Sequence, residues 1–257
     1  MILAVDIGNS GIKCAVVDAT RVLGRETLET GRHQKGSHLS DMIRRVSSAV
    51  LSVDDALVSS VVPSVTITAL LAIERQIGIR PRLVDPKSRL PFQLAVAAPA
   101  GVGSDRLCAA AGAVGAKRRN AIVIDAGSAI TVDLVRNGEF RGGAIALGPV
   151  LSLRALGQYA SQLPQIDFTR VVTPFPKRFD DTETAMTLGA GLGGVGFIRE
   201  AVRFLEASVG ASPPKYLTGG AVASLLPRLP PSWRHEPDLT LKGLYVISQL
   251  NRRKSDR

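Results

Sequence analysis

One pattern, used twice, constrains this chain most: an apolar strand that ends in aspartate, turns on glycine and a small polar residue, and re-enters a second apolar strand. The first copy is Leu3-Ala4-Val5-Asp6-Ile7-Gly8-Asn9-Ser10-Gly11-Ile12-Lys13, continued by Cys14-Ala15-Val16-Val17. The second is Ala121-Ile122-Val123-Ile124-Asp125-Ala126-Gly127-Ser128-Ala129-Ile130-Thr131, continued by Val132-Asp133-Leu134-Val135. A single elbow reads as an ordinary hairpin whose aspartate caps the turn. Two, at matching places in two halves, imply a duplicated unit whose carboxylates and glycine turns face one cleft.

The elbow suits a nucleotide phosphate. Glycine lets the backbone turn tightly and approach a ligand with no Cβ in the way. The N–H groups of Gly8, Asn9 and Ser10 can then converge on an anion. Aspartate repels phosphate directly but can hold Mg²⁺, or a water on Mg²⁺, that bridges to it. No Gly-x-x-x-x-Gly-Lys-Ser/Thr run occurs, which argues against a Walker-type NTPase. The chain opens strand-turn-strand, whereas a dinucleotide-binding βαβ unit follows its first strand with a helix. The fold class expected is α/β, with duplicated ribonuclease-H-like (actin-like ATPase) domains and a cleft between them.

The order of elements supports this. Strands are expected at 1–7, 11–18 and 21–29, and a helix at 38–52 with Met42, Val46, Ala49 and Val50 on one face. A buried strand Ala56–Val62 stops at Pro63, a helix Thr66–Ile77 ends at Gly78, and a short strand Pro81–Val84 follows. The second half repeats the order with strands at 121–126, 129–136 and 139–146 and a helix at 149–162. A long helix at 182–208, a strand Lys215–Thr218 and a closing helix at 239–252 complete it, with a loop at Pro227–Pro231. The boundary is expected near Ala116–Arg119, giving domains 1–116 and 117–257. The long helix holds Gly189, Gly191, Gly193, Gly194 and Gly196, each costing about 1 kcal/mol relative to alanine inside a helix. Either the backbone approaches another element there (the sheet, or the partner helix of a homodimer), or the segment breaks in two around a glycine loop.

The chain has 257 residues and a formal charge of +10, from 32 Lys+Arg against 22 Asp+Glu. Its basic residues are scattered in Arg44-Arg45, Lys117-Arg118-Arg119, Lys177-Arg178 and Arg252-Arg253-Lys254, the last read as part of a frayed tail. Aromatics are only 4% and do not interleave with them, so a nucleic-acid partner is not expected. The two cysteines, Cys14 and Cys108, sit in apolar segments and form no disulfide framework or metal cluster. Asp6 interrupts the first apolar run and no basic segment precedes it, so no secretory leader is expected. No membrane-spanning stretch occurs, and the expected compartment is the cytoplasm.

Just before the second elbow lies Pro99-Ala100-Gly101-Val102-Gly103-Ser104-Asp105-Arg106, leading into an alanine-rich helix over Leu107–Ala116. Ser104 or Asp105 can serve as an N-cap. The carboxylate can equally take a proton from a substrate hydroxyl, and the arginine can grip a substrate carboxylate with two parallel bonds.

Six ordered motifs resemble the type III pantothenate kinases over nearly the whole chain. They are Asp6-Ile7-Gly8-Asn9-Ser10, Gly103-Ser104-Asp105-Arg106, Asp125-Ala126-Gly127-Ser128-Ala129, Gly142-Gly143-Ala144-Ile145-Ala146-Leu147-Gly148, Thr218-Gly219-Gly220 and Pro237-Asp238-Leu239-Thr240-Leu241-Lys242-Gly243-Leu244. The resemblance implies ATP-dependent phosphorylation of pantothenate to 4'-phosphopantothenate, the opening step of coenzyme A synthesis. It also implies a homodimer, Mg²⁺, and a monovalent cation, potassium or ammonium. Asp105 would be the catalytic base, and Gly103, Ser104, Arg106 and Thr182 would contact pantothenate. Asp6, Gly8, Asn9, Ser10, Lys13 and Ser128 would surround ATP, with Asp6 holding Mg²⁺ through water and Asp125 the monovalent cation. Val96 stands where members usually carry tyrosine, and Asp181 where asparagine is common. Two other readings compete: a kinase of another small hydroxylated substrate, and a non-catalytic transcriptional accessory protein of the same family.

Overall fold

The computed structural model describes residues 1–30, 36–166 and 175–251. The basic tail Arg252-Arg253-Lys254 lies outside the described residues. Two compact units emerge, and neither is one continuous stretch. Unit 1 takes Met1–Asn120, Val135–Arg141 and the chain from Asp238 onward; unit 2 takes Ala121–Leu134 and Gly142–Pro237. A single cut near residue 117 therefore does not describe the chain. The closing helix leaves the second half because its apolar face is buried on the first.

In unit 1, β1 (Ile2–Ile7) pairs antiparallel with β2 (Gly11–Val17), and β2 with β3 (Val22–Glu29). On its other side β1 pairs in parallel with β4 (Asp55–Ser60), and β4 with β5 (Arg82–Leu83). The sheet order is thus β3-β2-β1-β4-β5. Strand alternation divides the residues of β1 between two faces. Leu3, Val5 and Ile7 pack with Leu39, Met42, Ile43 and Val46 of α1 (Gly36–Ser47), and with Val65, Ala69 and Ile73 of α2 (Pro63–Ile77). The opposite face receives α7 (Leu239–Asn251), which lies along β1, β2 and β4 and packs extensively on α3 (Ser104–Val114). Ile2, Ala4 and Asp6 belong to that face. A two-residue strand β6 (Gln93–Leu94) pairs with the start of β9 (Glu139–Leu147), Leu94 opposite Phe140.

The α3–α7 crossing explains the glycine of the Asp238–Leu244 motif. A Cβ at Gly243 would collide with the carbonyl of Cys108, and one at Gly112 with the carbonyl of Leu239. The two backbones touch, so neither helix tolerates a side chain at the crossing.

Unit 2 repeats the plan. Its strands β7 (Ala121–Ala126), β8 (Ala129–Arg136), β9, β10 (Lys215–Thr218) and β11 (Arg234–His235) stand in the order β11-β10-β7-β8-β9. Read from β7, this is the strand order of unit 1 read from β1, and β10 runs parallel to both β7 and β11. The elbow-first duplication expected from sequence is therefore present in both sheets. The unit also holds α4 (Pro149–Tyr159), α5 (Thr182–Val209) and the single turn α6 (Val222–Leu225).

Helix α5 is continuous, which settles the glycine question left open by the sequence. Asp181 caps it, accepting the N–H of Thr184 at 2.9 Å, and Gly210 ends it in the left-handed conformation. Gly194 supplies close approach, facing Ile130, Pro149 and Leu225. A Cβ on Gly189, Gly193 or Gly196 would meet open space.

Several boundaries differ from expectation, among them β4, which ends at Ser60 instead of Val62, and α3, which spans Ser104–Val114 instead of Leu107–Ala116. Helix α1 ends at Ser47 instead of residue 52, because Ser47 and Ser48 donate back to the carbonyls of Arg44 and Arg45. Helix α2 begins earlier, with Pro63 in its first turn, where the missing N–H costs nothing. Helix α4 ends at Tyr159, three residues short of the expected limit of 162. Among the described residues no helix is long and apolar enough to cross a membrane.

Candidate active site

The first elbow closes with the N–H of Gly8 donating to the carbonyl of Gly11 at 2.9 Å, leaving Asn9 and Ser10 exposed at its tip. Thr30, at the end of β3, braces it by donating from Oγ1 to the carbonyl of Gly8 at 2.6 Å. Asp6 and Lys13 are cross-strand partners and both are half-buried. Oδ1 of Asp6 is shielded from solvent. All five residues assigned to this phosphate turn (Asp6, Gly8, Asn9, Ser10, Lys13) thus belong to one hairpin of unit 1.

The Gly103–Arg106 segment reaches the same strands through β4. Asp6 stands beside Ser59 in the parallel register of β1 and β4. Ser59 Oγ lies 3.2 Å from Ser104 Oγ, and the N–H of Ser60 donates to Ser104 Oγ at 2.9 Å. The first residue of α3 is therefore fastened to the end of β4. Neither expected cap occurs: the N-cap is Gly103, with no side-chain bond, because the Ser104 hydroxyl is engaged by β4. Asp105 sits in the first turn of α3, accepting its neighbour's N–H (Arg106) at 2.8 Å. Gly103 makes room for it, since a Cβ there would lie 2.5 Å from Asp105 Oδ1.

Cys108 lies one turn further along α3 and is buried. Burial pushes its thiol well above the ordinary range; Asp6 adds to the rise, a hydrogen bond with Ser59 opposes it, and Asp105 adds again. Arg106 turns toward Phe140, its guanidinium 5.7 Å from the ring centroid, and Phe140 stacks on Phe92 at 5.7 Å. A cation over an aromatic face within about 6 Å is attracted to it. Ser59, Phe92 and Phe140 were not singled out from the sequence. The one available signal was a pair of serines ending an otherwise apolar strand, Ala56-Leu57-Val58-Ser59-Ser60.

Unit 2 holds the remaining candidates. Asp125 is the penultimate residue of β7, opposite Thr218 of β10, and its elbow closes with the N–H of Gly127 donating to the carbonyl of Ala129 at 2.9 Å. Gly148 donates to the carbonyl of Ser128 at 2.8 Å, tying the start of α4 to the turn. Gly219, at φ +102, lies so close to Asp125 that a Cβ would strike its Oδ1 and the carbonyl of Ala126. Thr182 is the exposed first residue of α5.

The residues fit loosely held cations. Among the described residues no group of three or more His, Cys, Asp or Glu could cage a metal. Mg²⁺ does not need such a cage when one carboxylate and substrate phosphates complete its shell. Asp6, with one oxygen shielded from solvent, is a carboxylate that fits such a shell.

The family model for type III pantothenate kinase matches residues 2–203. The chain belongs to the type III pantothenate kinase family. A type III pantothenate kinase of Rhodospirillum centenum is 34% identical over 267 residues, covering 98% of this chain and 99% of its own. Among solved structures, a Baf family protein of Campylobacter jejuni described as a transcriptional activator superposes with a TM-score of 0.60 at 20% identity, covering 97% of this chain and 98% of its own. A ROK hexokinase of Thermus thermophilus superposes with a TM-score of 0.51 at 14% identity, covering 97% and 98%. These two likenesses show the fold, duplicated ribonuclease-H-like domains of the actin-like class.

Proposed function

We propose that this chain phosphorylates pantothenate with ATP, forming 4'-phosphopantothenate and ADP at the opening of coenzyme A synthesis. The observation that supports the reading best is the link through Ser59 and Ser104 in unit 1: Ser59 stands beside Asp6 in the β1–β4 register, and Ser104 directly precedes Asp105 in the first turn of α3. It ties the strand that carries a candidate phosphate-turn carboxylate to the helix turn that carries the candidate base. Family membership gives the substrate.

In this reading Asp105 accepts the proton of the pantothenate hydroxyl as its oxygen forms the new bond to the γ-phosphorus. The bond from that phosphorus to the ADP oxygen breaks. Arg106, steadied by Phe140, pairs with the pantothenate carboxylate; Gly103, Thr182 and the main chain of Ser104 complete that side. Backbone N–H groups of Gly8, Asn9 and Ser10, with Lys13 and Ser128, orient ATP. Asp6 would hold Mg²⁺ through water and Asp125 potassium or ammonium; bound there, the cations neutralise phosphate charge. The partner of the exposed α5 glycine face is a second copy of this chain, and the compartment is the cytoplasm.

A coupled assay of ATP consumption tests the reading, with pantothenate against a panel of sugars, in sodium and then in potassium or ammonium buffer. Turnover is expected with pantothenate and to rise when sodium is replaced. Preference for a sugar would reassign the substrate. Salt-dependent DNA binding without turnover would support the transcriptional reading instead.

A further inference from the structure

Two buried hydroxyls have no role in that chemistry. Ser59 is 0% exposed and Ser104 is 7% exposed. Buried hydroxyls normally satisfy a local need, such as capping a helix. Ser104 does not cap α3. Its Oγ accepts the N–H of Ser60 at 2.9 Å and donates to the carbonyl of Ser60 at 3.1 Å. A hydroxyl has one proton to give. With that proton on the Ser60 carbonyl, the 3.2 Å contact is filled by Ser59 donating to Ser104. The side chain of Ser60 is engaged elsewhere, 2.7 Å from Thr66 Oγ1 at the start of α2. Ser59 and Ser104, with the main chain of Ser60, therefore link the β1–β4 register that carries Asp6 to the helix turn that carries Asp105.

We propose that the Ser59–Ser104 pair is a positioning device: it holds the first turn of α3 against the end of β4, so that Asp105 meets the substrate hydroxyl on the face that carries Asp6. The inference rests on Asp105 being the base. Neither serine touches substrate through its hydroxyl; both act through Asp105. A displacement of about 1 Å in a reacting group can cost roughly 100-fold in rate, and one lost hydroxyl at the root of that turn can produce such a displacement.

The test is steady-state kinetics on Ser104→Ala, Ser104→Thr, Ser59→Ala and the Ser59→Ala/Ser104→Ala double variant, each repeated in an Asp105→Asn background. Ser104→Ala is expected to lower kcat by about 10- to 100-fold with KM for ATP unchanged. Ser104→Thr, which keeps the oxygen, should restore most of it. The double variant should fall no further than the worse single one, since groups acting as a unit are not additive. In the Asp105→Asn background Ser104→Ala should bring no further loss, because no base remains to be aligned. A merely structural hydroxyl would give the same loss in both backgrounds, and that result overturns the proposal. So does wild-type kcat in Ser104→Ala while Asp105→Asn is impaired. Full activity in Asp105→Asn overturns the base assignment and this proposal together. If Ser59→Ala melts early, the Ser104 variants carry the test alone.

Discussion

Asp105 carries the sharpest residue-level prediction. Asp105→Asn is expected to lower kcat by about 10²- to 10⁴-fold while ATP binding, followed by calorimetry, persists. The thiols give a second. Burial, with a smaller push from Glu26, raises the Cys14 thiol to about 12, and Cys108 is raised as well. Because the thiolate is the reactive form, neither should be alkylated by iodoacetamide near pH 8 until the protein unfolds. Mass spectrometry with and without denaturant reads this, and native labelling of Cys108 would contradict its burial. Asp181 gives a third. The backbone N–H of Thr184, then its hydroxyl, hold the carboxyl below its ordinary value of 3.8. A lowered folded value means the cap stabilises α5 above that range and ceases to as pH falls through it. Asp181→Ala should lower Tm at neutral pH and lose its difference from wild type in acid. Asp6 and Asp105 were legible in sequence because an acid beside a glycine turn is a local pattern. Ser59 and Phe140 were not, because their roles depend on a parallel register and a cation contact between residues far apart in the chain.

At the scale of elements, the crossing of α3 and α7 is the tightest joint. Gly243→Ala should destabilise the protein by about 1–3 kcal/mol, as overpacking usually does, measured as a lower midpoint in urea. The motif containing Gly243 was visible in the sequence, but its purpose was not; only the packed pair shows that the glycine admits a carbonyl. The long helix was expected at 182–208 and spans Thr182–Val209, but its glycines were ambiguous because propensity cannot say what stands opposite each one. β6 and β11 have two residues each, too few for any alternation to register. The early end of α1 reflects serine hydroxyls competing with the helix ladder, a choice that periodicity does not record.

Across the whole molecule, repetition of the strand order β3-β2-β1-β4-β5 in unit 2 was foreseeable from the paired elbows. The exchange of segments between units was not, since it follows from where α7 finds an apolar surface. The exposed side of α5 offers the remaining prediction. Gly189, Gly193 and Gly196 lie on one side with Leu192, which is 47% exposed. If a second copy packs there, Leu192→Glu should convert the dimer to a monomer in light scattering with secondary structure intact. A wild-type monomer would remove the contact altogether. The closing helix has a consequence of another kind. Synthesis proceeds from the N-terminus, and α7 is made after unit 2 although its seat lies in unit 1, whose strands are made earlier. A nascent chain paused after β11 can have finished its younger unit while the older one still lacks α7. The ribosome must therefore finish translating α7 before the helix bearing Asp105 gains its lasting support.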